Sequence, residues 1–161
     1  MRHVGREGYF CVIDKDQDFC FSLMKTSRLV TRFLDRSLNS VGITASQFYM
    51  LVALSEGAKK IAGYAKELGM ERSTASRSLV TLEQFGLAVR KEGYSLTESG
   101  HETIDKCRPI MESAIDKLVS NLSECCVCSV ASNNIIRDFK KVEEAVSPMV
   151  KNIRRRPQKN E

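Results

Sequence analysis

The chain has 161 residues, of which 42% are hydrophobic, so it is long enough for one domain with a substantial core and is not disordered throughout. Its formal net charge of +5 and its isoelectric point of about 8.9 are compatible with a polyanionic partner but do not require one. The apolar run at 49–54 is far too short to span a bilayer and no signal peptide is visible, so we expect a cytoplasmic protein whose six cysteines are thiols.

The first part of the chain predicts an arm and two helices. Residues 1–16 are polar and partly glycine-bearing and form the arm. Residues 18–39 contain no Pro or Gly, and their apolar residues recur at helical spacing in a wide stripe, which indicates a long amphipathic helix. Thr44 and Gln47 have the spacing of a capping box, so a second helix is predicted over residues 45–56.

Two short helices in tandem are predicted next, over residues 61–68 and 72–85, with the turn Gly69-Met70-Glu71 between them. A short turn containing Gly is typical of the helix-turn-helix. The inner side of the second helix is apolar and consists of Ala75, Leu79 and Leu82. Its outer side carries Ser73, Ser76, Arg77, Val80 and Gln84. Short hydroxyls and a guanidinium near the start of such a helix are typical of a surface that meets base edges.

A small hairpin is predicted after the helix-turn-helix, with strands at 87–89 and 94–96. Gly86 is placed to end the preceding helix in a Schellman turn. The cations expected to contact phosphate groups, if DNA binds, are Lys59, Lys60, Arg90 and Lys91. The alternative for all four is an ordinary solvated surface charge.

The last part of the chain predicts two further helices and a basic tail at 154–161. Thr97 can cap the first of them, whose apolar residues between 104 and 122 step by three and four. Ser123 is predicted to cap the last helix, which carries apolar spacing as far as Ile153. The terminal helices have more apolar surface than the small domain between them can cover, which predicts a two-fold homodimer.

Four stretches resemble the MarR family of winged helix-turn-helix transcriptional regulators. They are ITASQF at 43–48, LGMERSTASR at 68–77, LEQFGL at 82–87 and LTESG at 96–100. The resemblance implies a mainly α fold in a single domain over 1–161. A winged helix-turn-helix DNA-binding domain at 43–96 would be flanked by long dimerisation helices at 17–40 and 97–153.

The resemblance also implies a homodimeric, sequence-specific DNA-binding regulator whose helix from Arg72 enters the major groove of a pseudo-palindromic operator. The residues expected to contact DNA in that helix are Ser73, Thr74, Ser76 and Arg77. An effector, either a small molecule or an oxidant, would be sensed near the dimer helices. The wing, which is the hairpin predicted after the helix-turn-helix, is shorter here than in the family and lacks the family's Asp-x-Arg motif. Arg90 and Lys91 are therefore expected to reach only phosphate.

The cysteines leave two interpretations open. Cys20 and Cys107 lie on apolar stripes, where a thiol is usually a small buried hydrophobe. Some MarR relatives instead sense peroxide with a cysteine at the start of the first helix and a second one near the end of the partner's fifth helix. The residues compatible with that role are Cys20, Cys125, Cys126 and Cys128. No second Cys-x-x-Cys pair follows, so no metal site is predicted.

The sequence contains no catalytic motif, so we predict neither an enzyme nor a bound cofactor. Two alternatives to the leading interpretation remain. The winged domain is a protein-interaction module that has lost DNA binding, or the chain is a regulator switched by thiol oxidation.

Overall fold

The computed structural model describes residues 19–57, 59–125, 137 and 139–144. The elements within the first two ranges are α1 Phe19–Ser37, α2 Ala45–Ser55, α3 Ile61–Glu67, α4 Arg72–Gln84, β1 Ala88–Arg90, β2 Tyr94–Leu96 and α5 Glu98–Cys125. The mainly α fold with a small antiparallel hairpin, predicted from the sequence, is confirmed. None of the helices in this part of the chain is long and apolar enough to cross a membrane.

The chain divides into two compact units, Met1–Ala114 and Ile115–Glu161. The core of the first unit is formed by buried side chains from every element between α1 and the first half of α5; its fully buried large residues are Leu38, Met50, Leu51, Tyr64, Leu79, Leu82 and Cys107. In the second unit the structure describes the end of α5 and the helical residues 137 and 139–144. The predicted arm, the basic tail and most of the predicted last helix lie outside the described residues, and the single domain over 1–161 stays a prediction.

The start of α2 confirms the predicted capping box. The N–H of Gln47 donates to Oγ1 of Thr44 (3.2 Å), and the N–H of Thr44 donates to Oε1 of Gln47 (2.8 Å). A carboxylate oxygen of Asp35 accepts from the N–H of Ala45 (2.8 Å), which ties the end of α1 to the start of α2. Two otherwise unpaired backbone donors of the first turn therefore have partners, which fixes where α2 begins.

The end of α4 is a Schellman turn, as predicted. Gly86 has a φ of +71°, which is in the left-handed region, and its N–H donates to the carbonyl oxygen of Glu83 (2.9 Å). The N–H of Leu87 donates to the carbonyl oxygen of Leu82 (2.9 Å). Because this bond uses the amide of Leu87, the first strand begins one residue later than predicted, at Ala88.

Helix α5 begins directly after Thr97, as predicted, and Oγ1 of Thr97 accepts from the N–H of Gly100 (3.1 Å). The prediction that Ser123 caps a new helix is wrong, because α5 continues to Cys125. The physical reason is that the sequence from 110 to 125 contains neither Pro nor Gly, so nothing ends the helix before Ser123.

Candidate nucleic-acid interface

The turn between α3 and α4 has the geometry of a helix-turn-helix. Gly69 has a φ of +62°, and the N–H of Met70 donates back to the carbonyl oxygen of Ala65 (2.8 Å). Glu71 is the N-cap of α4 and makes no side-chain capping bond, and its carbonyl oxygen accepts from the N–H of Thr74 (2.9 Å). The two helices of the motif are therefore joined by hydrogen-bonded backbone rather than by a loose loop.

Helix α4 has one buried side and one exposed side. Ala75, Leu79 and Leu82 are fully buried, which confirms the predicted inner face. On the outer side, Ser73, Thr74, Arg77, Val80 and Gln84 are exposed and Ser76 is half-buried. Such a face offers hydroxyl groups, an amide and a guanidinium at the surface, which are the groups that bind phosphates and base edges.

Arg77 is the only cation in the middle of that outer face. Its Nε donates to the carbonyl oxygen of Ser73 on the preceding turn (3.3 Å), and it forms no ion pair with any residue that the structure describes. The guanidinium has five N–H donors, so the bond to Ser73 leaves most of them available to a ligand. A bidentate contact with a guanine or with a phosphate is therefore chemically open to Arg77.

Lys59 differs from the other predicted phosphate-binding cations because it is already paired. Its Nζ lies 2.7 Å from a carboxylate oxygen of Glu67 and 3.3 Å from one of Glu56. The hydrogen bond to Glu67 is the main reason that the pKa of Lys59 is raised above its usual value. This pairing fits a lysine that fixes the connection between α2 and α3 better than one that awaits a phosphate.

The other three predicted cations, Lys60, Arg90 and Lys91, are exposed and form no ion pair within the described ranges. The guanidinium of Arg90 lies over the ring of its cross-strand partner Tyr94, 5.9 Å from the centroid. The hydroxyl of Tyr94 is 3.5 Å from a carboxylate oxygen of Glu83 in α4. Arg90 is therefore held over a buried tyrosine that is itself linked to α4.

Tyr64 in α3 joins three segments around this surface. The ring is fully buried, and the hydroxyl accepts from the N–H of Lys59 (2.9 Å). The same hydroxyl lies 3.2 Å from the carbonyl oxygen of Gly57 and 3.5 Å from that of Tyr94, to which it can donate. One side chain thus connects the α2–α3 linker, the helix-turn-helix and the wing.

Replacing Tyr64 by Phe is expected to destabilise the fold by about 1–3 kcal/mol, because the partly buried N–H of Lys59 loses its acceptor. Equilibrium unfolding in urea measures the change. The matched control is Tyr49→Phe, since Tyr49 is 40% exposed and its replacement should change stability by less than about 0.5 kcal/mol. Equal stability of the two variants would contradict the role assigned to Tyr64.

Two features of the surface were not identified from the sequence. Arg72, the first residue of α4, is an exposed cation next to the predicted contact residues. In addition, α1 carries a shallow groove of about 220 Å³ lined by Phe21, Met24, Lys25, Arg28, Leu29 and Arg32. The sequence feature that indicates this groove is the spacing of Lys25, Arg28 and Arg32 at intervals of three and four residues. The prediction for this helix used only its apolar stripe.

The structure separates the cysteines that it describes. Cys107 is fully buried, as predicted, and burial raises the pKa of its thiol, which keeps it protonated and unreactive. Of the two interpretations left open for Cys20, the buried hydrophobe does not hold, because its side chain is exposed on the first turn of α1. The side chain of Cys125 and all of Cys126 and Cys128 lie outside the described residues, so a thiol switch stays a prediction.

No protein-family model matches the chain, and a search of curated proteins finds no match either. Solved structures do match. A MarR-family transcriptional regulator from Rhodococcus sp. RHA1 has a TM-score of 0.66 at 18% identity, covering 83% of this chain and 96% of that one. CouR from Rhodococcus jostii RHA1, bound to p-coumaroyl-CoA, has a TM-score of 0.63 at 18% identity, covering 81% and 92%.

The transcriptional regulator MosR from Mycobacterium tuberculosis, in complex with DNA, has a TM-score of 0.61 at 21% identity, covering 80% of this chain and 99% of that one. All three likenesses extend over at least nine tenths of the other chain, so they include the helices on both sides of the winged domain. The chain therefore has the winged helix-turn-helix fold of the MarR-family regulators.

Proposed function

We propose that the chain is a cytoplasmic, homodimeric, sequence-specific DNA-binding regulator of transcription of the MarR type, without enzymatic activity. The observation that carries this proposal is the outer face of α4. It presents hydroxyl groups and the guanidinium of Arg77, which has no carboxylate partner among the described residues, on a helix held in a helix-turn-helix. MosR, which shares the fold, was solved in complex with DNA.

The two-fold dimer in this proposal is supported by apolar side chains that a single copy leaves exposed. On α1, Met24 is 55% exposed and Leu29 is 53% exposed, with Phe21 and Phe33 also exposed. Among the described residues of the second unit, Ile115, Val119 and Phe139 are exposed apolar residues. Covering them with the same residues of another copy removes apolar surface from water.

In such a dimer the two recognition helices would meet successive major grooves about 34–36 Å apart on one side of the duplex. The operator would then be a pseudo-palindrome. Within each half-site, Ser73, Thr74, Ser76 and Arg77 would face the groove, and Lys60, Arg90 and Lys91 would contact phosphate. Lys59 would support the α2–α3 connection through Glu67 instead.

A small-molecule signal is supported by CouR, which shares the fold and was solved bound to p-coumaroyl-CoA. The α1 groove is not assigned to such an effector, because its apolar residues Phe21, Met24 and Leu29 belong to the surface that the second copy would cover.

The test is a selection of duplex DNA from random sequence, followed by titration of the selected duplex by fluorescence anisotropy at increasing salt. If about three cations of each subunit contact phosphate, the affinity should fall about 1,000-fold between about 50 and 200 mM salt. Enrichment of a pseudo-palindrome together with this salt dependence is the expected result. Failure to enrich any sequence, or binding that salt does not weaken, would favour the protein-interaction module instead.

A further inference from the structure

The junction between the recognition helix and α5 is bridged by one residue, Thr97. Its Oγ1 donates to the carbonyl oxygen of Gly86 (2.7 Å), and its N–H donates to the carbonyl oxygen of Leu87 (3.2 Å). The same Oγ1 accepts from the N–H of Gly100 in the first turn of α5 (3.1 Å). Thr97 therefore binds the turn that ends α4 and the turn that begins α5 at the same time.

The backbones at this junction are also in unusually close contact. A Cβ atom at Gly100 would overlap the carbonyl oxygen of Leu87 and would lie 2.5 Å from Cδ2 of Leu96. Only glycine lets the first turn of α5 come this close to the backbone that follows α4. Since the N–H of Leu87 is bonded to Leu82 inside α4, the contact is continuous from one helix to the other.

Beyond the junction, α5 packs into the same core as α4. Its buried residues in the first unit are Ile104, Cys107, Met111 and Ala114, at intervals of three and four. Helix α5 then continues to Cys125, and the exposed apolar residues Ile115 and Val119 on it belong to the surface assigned to the dimer. The helix that carries part of that surface is thus bonded at its first turn to the recognition helix.

We propose that Thr97 is a positioning residue that fixes the angle between α4 and α5 and thereby sets the half-site spacing that the dimer accepts. This inference rests on the proposed DNA-binding function. The hydrogen-bonded junction resists a change in spacing, because one extra base pair moves a half-site by about 3.4 Å and turns it by about 35° around the duplex. Loss of the hydroxyl bond to Gly86 weakens this resistance, while the bond from the N–H of Thr97 to Leu87 stays.

The experiment compares variants on duplexes in which the spacer between the selected half-sites is shortened or lengthened by one base pair. Thr97→Asp keeps an acceptor for the N–H of Gly100 but has no donor for Gly86, so it removes the bridge and keeps the helix cap. Thr97→Ser keeps both bonds. Thr103→Val is the matched control, because the hydroxyl of Thr103 is bonded only to Ser99 within α5.

The measured quantity is the affinity for the selected spacing divided by the affinity for an altered spacing. This ratio should be on the order of tenfold for wild type, Thr97→Ser and Thr103→Val, as expected when one half-site is misplaced. It should fall to about threefold or less for Thr97→Asp, since the loss of one hydrogen bond is worth a few-fold in an equilibrium constant. The added charge weakens binding to all spacings alike, so it does not change the ratio. Thr97→Val, which also lacks the donor, decides the question if Thr97→Asp does not fold.

If Thr97→Asp or Thr97→Val folds and shows the same affinity ratio as wild type, the role of Thr97 is overturned. The proposed DNA-binding function is not affected by that result. The same holds if wild type binds all spacings equally, because the junction would then not restrain the helices. If wild type selects no sequence at all, the proposed function fails and the inference fails with it. Only loss of spacing discrimination in Thr97→Asp or Thr97→Val, with retention in Thr97→Ser and Thr103→Val, supports it.

Discussion

Replacing Arg77 by Ala should weaken binding to the selected duplex by about 1–3 kcal/mol for each half-site, because the exposed guanidinium is the group on α4 best suited to a bidentate contact. Stability should not fall, since Arg77 is exposed and Ala is the best helix former. Anisotropy titration measures the affinity, and urea unfolding confirms that the variant is folded.

The matched variant Arg77→Lys separates charge from geometry. Lysine keeps the positive charge but lacks the planar fork, so the salt dependence should stay while discrimination between selected and random duplex falls. If both variants bind the selected duplex as tightly as wild type, Arg77 is only a solvated surface residue. The contact would then have to come from the hydroxyl groups of Ser73, Thr74 and Ser76.

Replacing Gly100 by Ala should destabilise the protein by about 2–4 kcal/mol, because the new methyl group forces the first turn of α5 away from Leu87 and strains its bonds to Thr97. The expected sign is the reverse of the usual one, since Gly→Ala inside a helix normally stabilises by roughly 1 kcal/mol. Equilibrium unfolding in urea measures the change.

Gly63→Ala is the control for this substitution. Gly63 also lies within a helix, but a Cβ atom there would approach only the side chain of Lys59, at 3.2 Å from its Cβ, and a shift of a few tenths of an ångström relieves that contact. Its effect should therefore lie within about 1 kcal/mol of zero. If the two variants are equally stable, the close approach at the junction does not constrain the fold.

Local sequence signals predicted much of this fold. The capping box of Thr44 and the glycines at 69 and 86 act through bonds between residues that are neighbours in the chain, so their residue types are informative on their own. The inner and outer sides of α4 followed in the same way from helical periodicity. These features define the frame of the candidate interface.

The features that the sequence did not predict depend mainly on residues that are not close neighbours in the chain, or on a surface that covers a helix. Glu67, which pairs with Lys59, is eight residues away across the start of a helix. The stripe that contains Cys20 shows which side of α1 is apolar, but periodicity does not show whether another surface covers that side. Ser123 has the chemistry of a helix cap and is equally compatible with the interior of a helix, where the structure places it.

The division of α4 into a buried and an exposed side has a consequence for which of its residues can be substituted during evolution. Its position is fixed by three buried apolar residues, by the Schellman turn at Gly86 and by Thr97. None of these is a residue of the outer side, where substitutions typically alter stability by less than about 0.5 kcal/mol. If the chain binds DNA as proposed, its preference for one base sequence over another can therefore evolve on this helix without loss of folding, while the spacing between half-sites would depend on residues that also hold the fold.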